Sequence, residues 1–189
     1  NVKIISTGTQ YGNKTRIEKL QPTDKDSHYK EYWGNINNLK IENLTLSNDK
    51  NNIQFTENVQ ISAKNYGSLL GTKMMFVLDA YNLNSNSAKR VRNRKNPFEI
   101  QRGYLDTDEV KIVLPKGYAI EFLPSNFDLK TKFGEYKTEI IKNPDGSLLY
   151  KRILLVNKGV YNNTEYDDYR LFTEQISKND NAKIILTKI

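Results

Sequence analysis

Few side chains in this 189-residue sequence have the chemistry for catalysis, and they are scattered. There is one histidine, His28, and there is no cysteine. Counting alone therefore excludes a disulfide, a thiolate metal site, a Cys–His pair and a multi-histidine metal centre, and a Ser–His–Asp triad would have to be built on His28. His28 sits in "QPTDKDSHYKEYWG" among aromatic residues at helical spacing and reads as a partly exposed helix residue. "LDTDEV" brings Asp106, Asp108 and Glu109 together, hard oxygen ligands of the kind that Ca²⁺ takes. The additional carboxylates and the turn glycine of a loop site are missing, so the simpler reading is a solvated corner at a strand start. There is no GxxxxGK[ST] and no GxGxxG, and no acid pair stands out for glycoside hydrolysis. The sequence is not expected to encode an enzyme, and no cofactor is expected.

Charge singles out one segment. "SAKRVRNRKNPFEIQRGY", residues 87–104, carries Lys89, Arg90, Arg92, Arg94, Lys95 and Arg102 against Glu99, which places +5 of the net +7 in 18 residues. A nucleic-acid footprint would spread Lys and Arg over a face or helix, or interleave them with aromatic residues, and this run does neither. A Lys- and Arg-rich strand edge resists pairing with other chains, and a crossover keeps such residues in water. The expected role is therefore a solvated edge or crossover, with Lys89, Arg90, Arg92, Arg94 and Lys95 as a possible anionic or interdomain contact. No nucleic-acid partner is expected.

Twelve tyrosines raise a different chemistry, since flat rings exposed on a β-sandwich stack against sugar rings. Against a carbohydrate-binding module stands the placing of Tyr136, Tyr150, Tyr166 and Tyr169 where core residues belong. A glycan is kept as the alternative ligand.

The elements that must position these residues come from periodicity. "NIQFTENVQISA" puts Ile53, Phe55, Val59 and Ile61 on one strand face, with Glu57 as the lone interruption. "KMMFVLDA" is apolar on both faces, and "DEVKIVLPKGYAIEFLP" holds two short strands around Pro115 and Gly117. "EYKTEIIKNPDGSLLYKRILLV" predicts a hairpin turning at Pro144–Gly146. Two helices are expected: one near 23–33, capped by Thr23 with Tyr29, Tyr32 and Trp33 on one face, and one near 163–178, capped by Asn162 or Asn163. The second carries a Tyr166, Tyr169, Phe172, Ile176 stripe. The Gly-rich "GTQYGNK" reads as a break. With no βαβ alternation, the expected fold is all-β, an antiparallel β-sandwich of jelly-roll type with two short helices. It is expected as one domain over 1–189, the alternative being two small β-domains over 1–84 and 96–189. No apolar run reaches the ~20 residues that span a bilayer. Without an initiator Met or a signal peptide, the sequence reads as a piece of something longer.

Several of these segments together resemble a known family. "RKNPFEIQRGYLDTDEVKIVLPKGYAIEFLP", "FGEYKTEI", "YKRILLVNKGVYNNTEYDDYRLF" and "NAKIILTKI" are similar to the C-terminal region of transglutaminase-like proteins of Bacteroidetes. The resemblance is best over residues 94–189 and looser through "TGTQYGNKTRIEKL". Such proteins carry an N-terminal β-domain of unknown function, a papain-like transglutaminase core and a C-terminal β-sandwich. The resemblance implies a non-catalytic C-terminal accessory domain whose partner is the transglutaminase-like core of the same parent. It also implies export to the periplasm or cell surface. None of that core's Cys, His and Asp residues maps onto this sequence.

Overall fold

Alternating apolar residues dominate the sequence, and the chain is accordingly mostly β, with every strand pair antiparallel. The computed structural model describes residues 1–189, which form two compact units, Asn1–Tyr66 and Gly67–Ile189.

The first unit runs β1 (Val2–Thr7), α1 (Gly8–Glu18), α2 (Pro22–Tyr32), β2 (Leu39–Asp49) and β3 (Gln54–Ala63), with sheet order β1-β3-β2. Phe55, Glu57 and Val59 alternate onto the buried face of β3, while Ile53 precedes the strand and is exposed. Glu57 thus continues the inward row: Tyr29 Oη donates to its Oε1 at 2.7 Å, and Lys14 Nζ lies 3.1 Å from Oε2. Helix α1 corrects the reading of "GTQYGNK" as a break. Two glycines weaken its intrinsic propensity, but tertiary contacts hold it: Ile17 is buried, Tyr11 Oη donates to Asn48 Oδ1 at 2.8 Å, and Lys14 reaches Glu57. Gly8, at φ +56°, makes the turn from β1 into the helix. Helix α2 begins with Pro22 at its first position, so Gln21 rather than Thr23 is the N-cap residue. Tyr29 and Trp33 are buried, whereas Tyr32 is half exposed, stacked with His28 and under Lys14 Nζ at 4.7 Å.

The second unit comprises β4 (Ser68–Leu70), β5 (Lys73–Val77), β6 (Phe98–Ile100), β7 (Tyr104–Ile112), β8 (Tyr118–Phe122), β9 (Phe127–Thr131), β10 (Gly134–Lys142), β11 (Leu148–Val156), β12 (Gly159–Tyr161), α3 (Tyr166–Asp180) and β13 (Lys183–Lys188). Two four-stranded sheets, β7-β11-β10-β9 and β4-β5-β13-β8, share one apolar layer, and β12 pairs with β6. Val110, Ile112, Ile140, Leu148 and Tyr150 from the first sheet meet Met74, Phe76, Tyr118, Ile120, Ile184 and Leu186 from the second, a sandwich-like packing. The expected hairpin is present: β10 and β11 pair from Gly134↔Val156 to Lys142↔Leu148, and Gly146 takes φ +79° at the turn.

Only one end of the inner face of β7-β11-β10-β9 meets the second sheet. At the other end Tyr136, Leu154 and Phe133 pack against Phe172 and Ile176 of α3, with Tyr166 and Tyr169 half-buried beside Phe98. Burying each such apolar side chain contributes roughly 1.5–3 kcal/mol, which accounts for the helical stripe. A single 3₁₀ turn, Asn163–Glu165, precedes α3, and Asn162 N–H donates to Glu165 Oε2 at 2.7 Å. The two expected helices are therefore joined by a third, α1.

Candidate functional site

Between the two apolar ends of that inner face lies a polar centre built around Arg152. The residues of β11 that face inward are Leu148, Tyr150, Arg152 and Leu154, and the strand's period of two forces Arg152 into the interior, 2% exposed. Its guanidinium makes a two-point contact with Asp180 at the end of α3, Nε to Oδ1 at 2.8 Å and Nη2 to Oδ2 at 2.9 Å. Nη1 donates to Asp108 Oδ2 at 2.9 Å, Asp108 being the residue of β7 directly opposite. Asp180 also accepts from Tyr136 Oη at 2.6 Å and from Asn84 N–H at 3.0 Å, and Asp108 accepts from Asn82 Nδ2 at 3.2 Å.

A third carboxylate, Asp79, is buried close by. Its Oδ1 accepts from the N–H groups of Tyr81 at 2.9 Å and Asn82 at 3.4 Å. Its Oδ2 is buried without a hydrogen-bond partner. Asp79 lines a cavity of about 10 Å³ together with Thr138, Tyr150 and Asp180, space for the centre of one water molecule. Burial, then the charge of Asp108, lifts the Asp79 carboxyl from 3.8 to about 6, against the opposing pull of the Tyr81 N–H. Asp108 is raised too, by burial, although Arg152 pulls the other way. Burial works against the Arg152 charge, but the hydrogen bonds and charge of Asp180, with Asp108 behind them, prevail and raise its pKa. Tyr136 and Tyr150 are raised by burial and by the charge of Asp180.

The long segment 78–97 connecting β5 to β6 begins in this centre. Leu78, Asp79 and Ala80 are buried at its root, and the remainder runs antiparallel to α3. Asn84 N–H meets Asp180, Ala88 N–H donates to Thr173 Oγ1 at 2.9 Å, Lys89 O accepts from Tyr166 Oη at 2.8 Å, and Arg94 O accepts from Asn163 Nδ2 at 2.9 Å. The basic run is thus a crossover strapped along the helix. Lys89, Arg90, Arg92 and Lys95 are exposed on it. Arg94 differs: its guanidinium lies 4.6 Å from the Tyr166 ring centre and 5.6 Å from that of Phe98, and donates to the carbonyls of Asn96 and Pro97.

The other sequence candidates separate. "LDTDEV" is the interior of β7, not a corner, and strand alternation turns Asp108 toward Arg152 while Glu109 faces outward, 3.3 Å from Lys151. No three His, Asp or Glu side chains converge as a metal-holding group. His28 lies in the first unit, its pKa lowered by burial and by Lys14. Tyr136 and Tyr150 are buried, and the rings of Tyr32 and Trp33 are inclined by 49°, so they form no flat sugar platform. No helix is long and apolar enough to cross a membrane.

Sequence reasoning passed over Arg152, Asp180 and Asp79, although each leaves a trace. Arg152 breaks an apolar alternation, Asp79 closes an apolar run, and Asp180 sits at a helix C-terminus, where the macrodipole disfavours an acid.

Compared with known proteins, residues 73–186, more than half of the chain and all within the second unit, match the model of a family described as a domain of unknown function with a solved structure. No curated protein and no solved structure matches the chain.

Proposed function

The chain belongs to the DUF3858 family of domains of unknown function, and from that premise we propose that it is a non-catalytic accessory domain. It docks on and positions a transglutaminase-like core carried by the same parent protein, which is exported to the periplasm or cell surface. The observation that carries this reading is the outer face of β4-β5-β13-β8. Ile184 and Leu186 are fully buried on the inner face, so Ile185 faces outward, in register with Met75 on one side and Phe122 on the other. Phe122 is 52% and Leu70 68% exposed. An apolar row across the outer face of an antiparallel sheet, where polar residues normally alternate, suits a surface that another domain covers. Engagement of Asp79, Asp108 and Asp180 in an interior centre, away from an open cleft, supports the non-catalytic part. The exposed cations of the strap supply a contact for an acidic surface on the partner.

The test supplies the core and this chain as separate polypeptides and measures their association by calorimetry. Phe122→Asp combined with Leu70→Ser should weaken association at least tenfold without altering the circular dichroism spectrum. Equal affinity of variant and wild type would overturn the docking assignment.

A further inference from the structure

We infer that Asp79 is a proton-operated latch at the root of the strap: its neutral carboxyl seats residues 79–92, and ionisation loosens them from the sheet and from α3. This is independent of the docking reading. The geometry rests on a charge imbalance. Three carboxylates, Asp79, Asp108 and Asp180, surround one guanidinium, and Asp108 and Asp180 already engage all the donors that Arg152 directs at them. Asp79 is left with a buried oxygen that has no partner, and the residue lines a small cavity shared with the hydroxyl-bearing Thr138 and Tyr150 and with Asp180.

The groups that face Asp79 come from every element packed around it. Asp108 on β7 disfavours its charge and Arg152 on β11 favours it, while Asp106, on the same face of β7, acts on Asp108. Tyr150 on β11, Thr138 on β10 and Asp180 on α3 line the shared cavity, and Tyr81 follows in the strap itself. The balance is negative, in line with the carboxyl's rise to about 6.

The mechanical consequence follows from position. Oδ1 of Asp79 holds the amides of Tyr81 and Asn82, and the Asn82 side chain holds Asp108. A carboxylate that moves toward water takes this turn with it and lifts the start of the strap. Beyond the turn only isolated hydrogen bonds, such as those of Asn84 and Ala88, tie the strap to the helix. Lys89, Arg90 and Arg92 ride on the same segment, so the proton on Asp79 governs how those cations are presented.

Amide hydrogen exchange of residues 79–92 at pH 5 and pH 8, corrected for intrinsic rates and referenced to β10 and β11, tests the latch. In the wild type, protection of the strap should fall about tenfold at the higher pH, which is what a carboxyl at about 6 in the seated strap and at 3.8 in the loosened one gives between these two pH values. In Asp79→Asn it should stay level, because the amide keeps an acceptor for Tyr81 and Asn82 and carries no charge. A level wild-type profile, or the same fall in the variant, would overturn the proposal. Should the variant fail to fold, carboxyl ¹³C titration of the wild type decides: a midpoint near 6 for Asp79 supports the latch, and one in the ordinary carboxylate range sinks it.

Discussion

The Arg152 guanidinium and the Asp180 carboxylate meet edge to edge, both 2% exposed at the side chain, and tie the middle of β11 to the last residue of α3. Arg forms such two-point contacts because its planar fork matches the carboxylate, which an ammonium group cannot do. Removing one member leaves the other charged and buried, and that penalty decides the energetics more than the worth of the pair itself.

Arg152→Met should therefore destabilise the second unit by about 3–5 kcal/mol in urea unfolding. Arg152→Met combined with Asp180→Leu and Asp108→Asn should recover part of that loss, because neither of the two carboxylates bonded to the guanidinium then stays buried without it. A triple variant less stable than the single one would show that the centre stabilises chiefly by its own attraction.

The ionisation of Asp79 makes stability depend on pH in an unusual direction. Its carboxyl is raised from 3.8 to about 6, so the folded state holds the proton more tightly than the unfolded chain does. The resulting stabilisation is complete below pH 3.8 and is lost as pH rises through 6. At about 1.4 kcal/mol per unit it amounts to about 3 kcal/mol for this 6%-exposed residue. Asp79→Asn should accordingly gain stability relative to wild type as pH increases from 4 to 7.5. Denaturation curves that stay parallel over that range would contradict the assignment.

In the first unit, Tyr29→Phe removes the hydroxyl that donates to the fully buried Glu57, leaving Lys14 as its remaining partner. The expected cost is about 1–3 kcal/mol. Glu57→Gln in the same background should give some of it back. Equal stability of Tyr29→Phe and wild type would mean that water reaches Glu57 without cost.

The cations of the strap should divide into two groups. Arg90→Gln and Arg92→Gln, both exposed, should stay within about 0.5 kcal/mol of wild type. Arg94→Ala loses its ring contacts with Tyr166 and Phe98 and its bonds to two carbonyls, and should cost about 1 kcal/mol or more. A thermal-shift series resolves the two, and identical melting of all three variants would erase the distinction.

What was legible in the sequence is what short-range pattern controls. The β10–β11 hairpin is written in two alternating arms and "NPDG", and α3 in its aromatic stripe and acidic first turn. Helix α1 was not legible because Gly8 and Gly12 depress local propensity and the contacts that hold it, Tyr11 to Asn48 and Lys14 to Glu57, span more than thirty residues. The same limit hid the polar centre. Arg152, Asp108 and Asp180 meet only after a strand pairing and a helix packing have formed, and each alone is an irregularity in its own segment. Residues 84–96 resemble a linker in composition, yet their backbone is pinned by hydrogen bonds to side chains of α3 and of the turn before it, which a composition cannot express.

The position of β13 sets the order in which the second unit can assemble. β13 lies between β5 and β8, so its pairing with β5 joins residues more than a hundred positions apart. Contacts of such sequence separation form slowly, since the entropy of a large loop is lost before any contact repays it. During synthesis β5, paired with β4 along one edge, and β8, with neither edge paired, both wait for β13. The early chain thus passes through a stage with an open edge on β5 and an unpaired β8, the stage at which a chaperone or a neighbouring copy would find it.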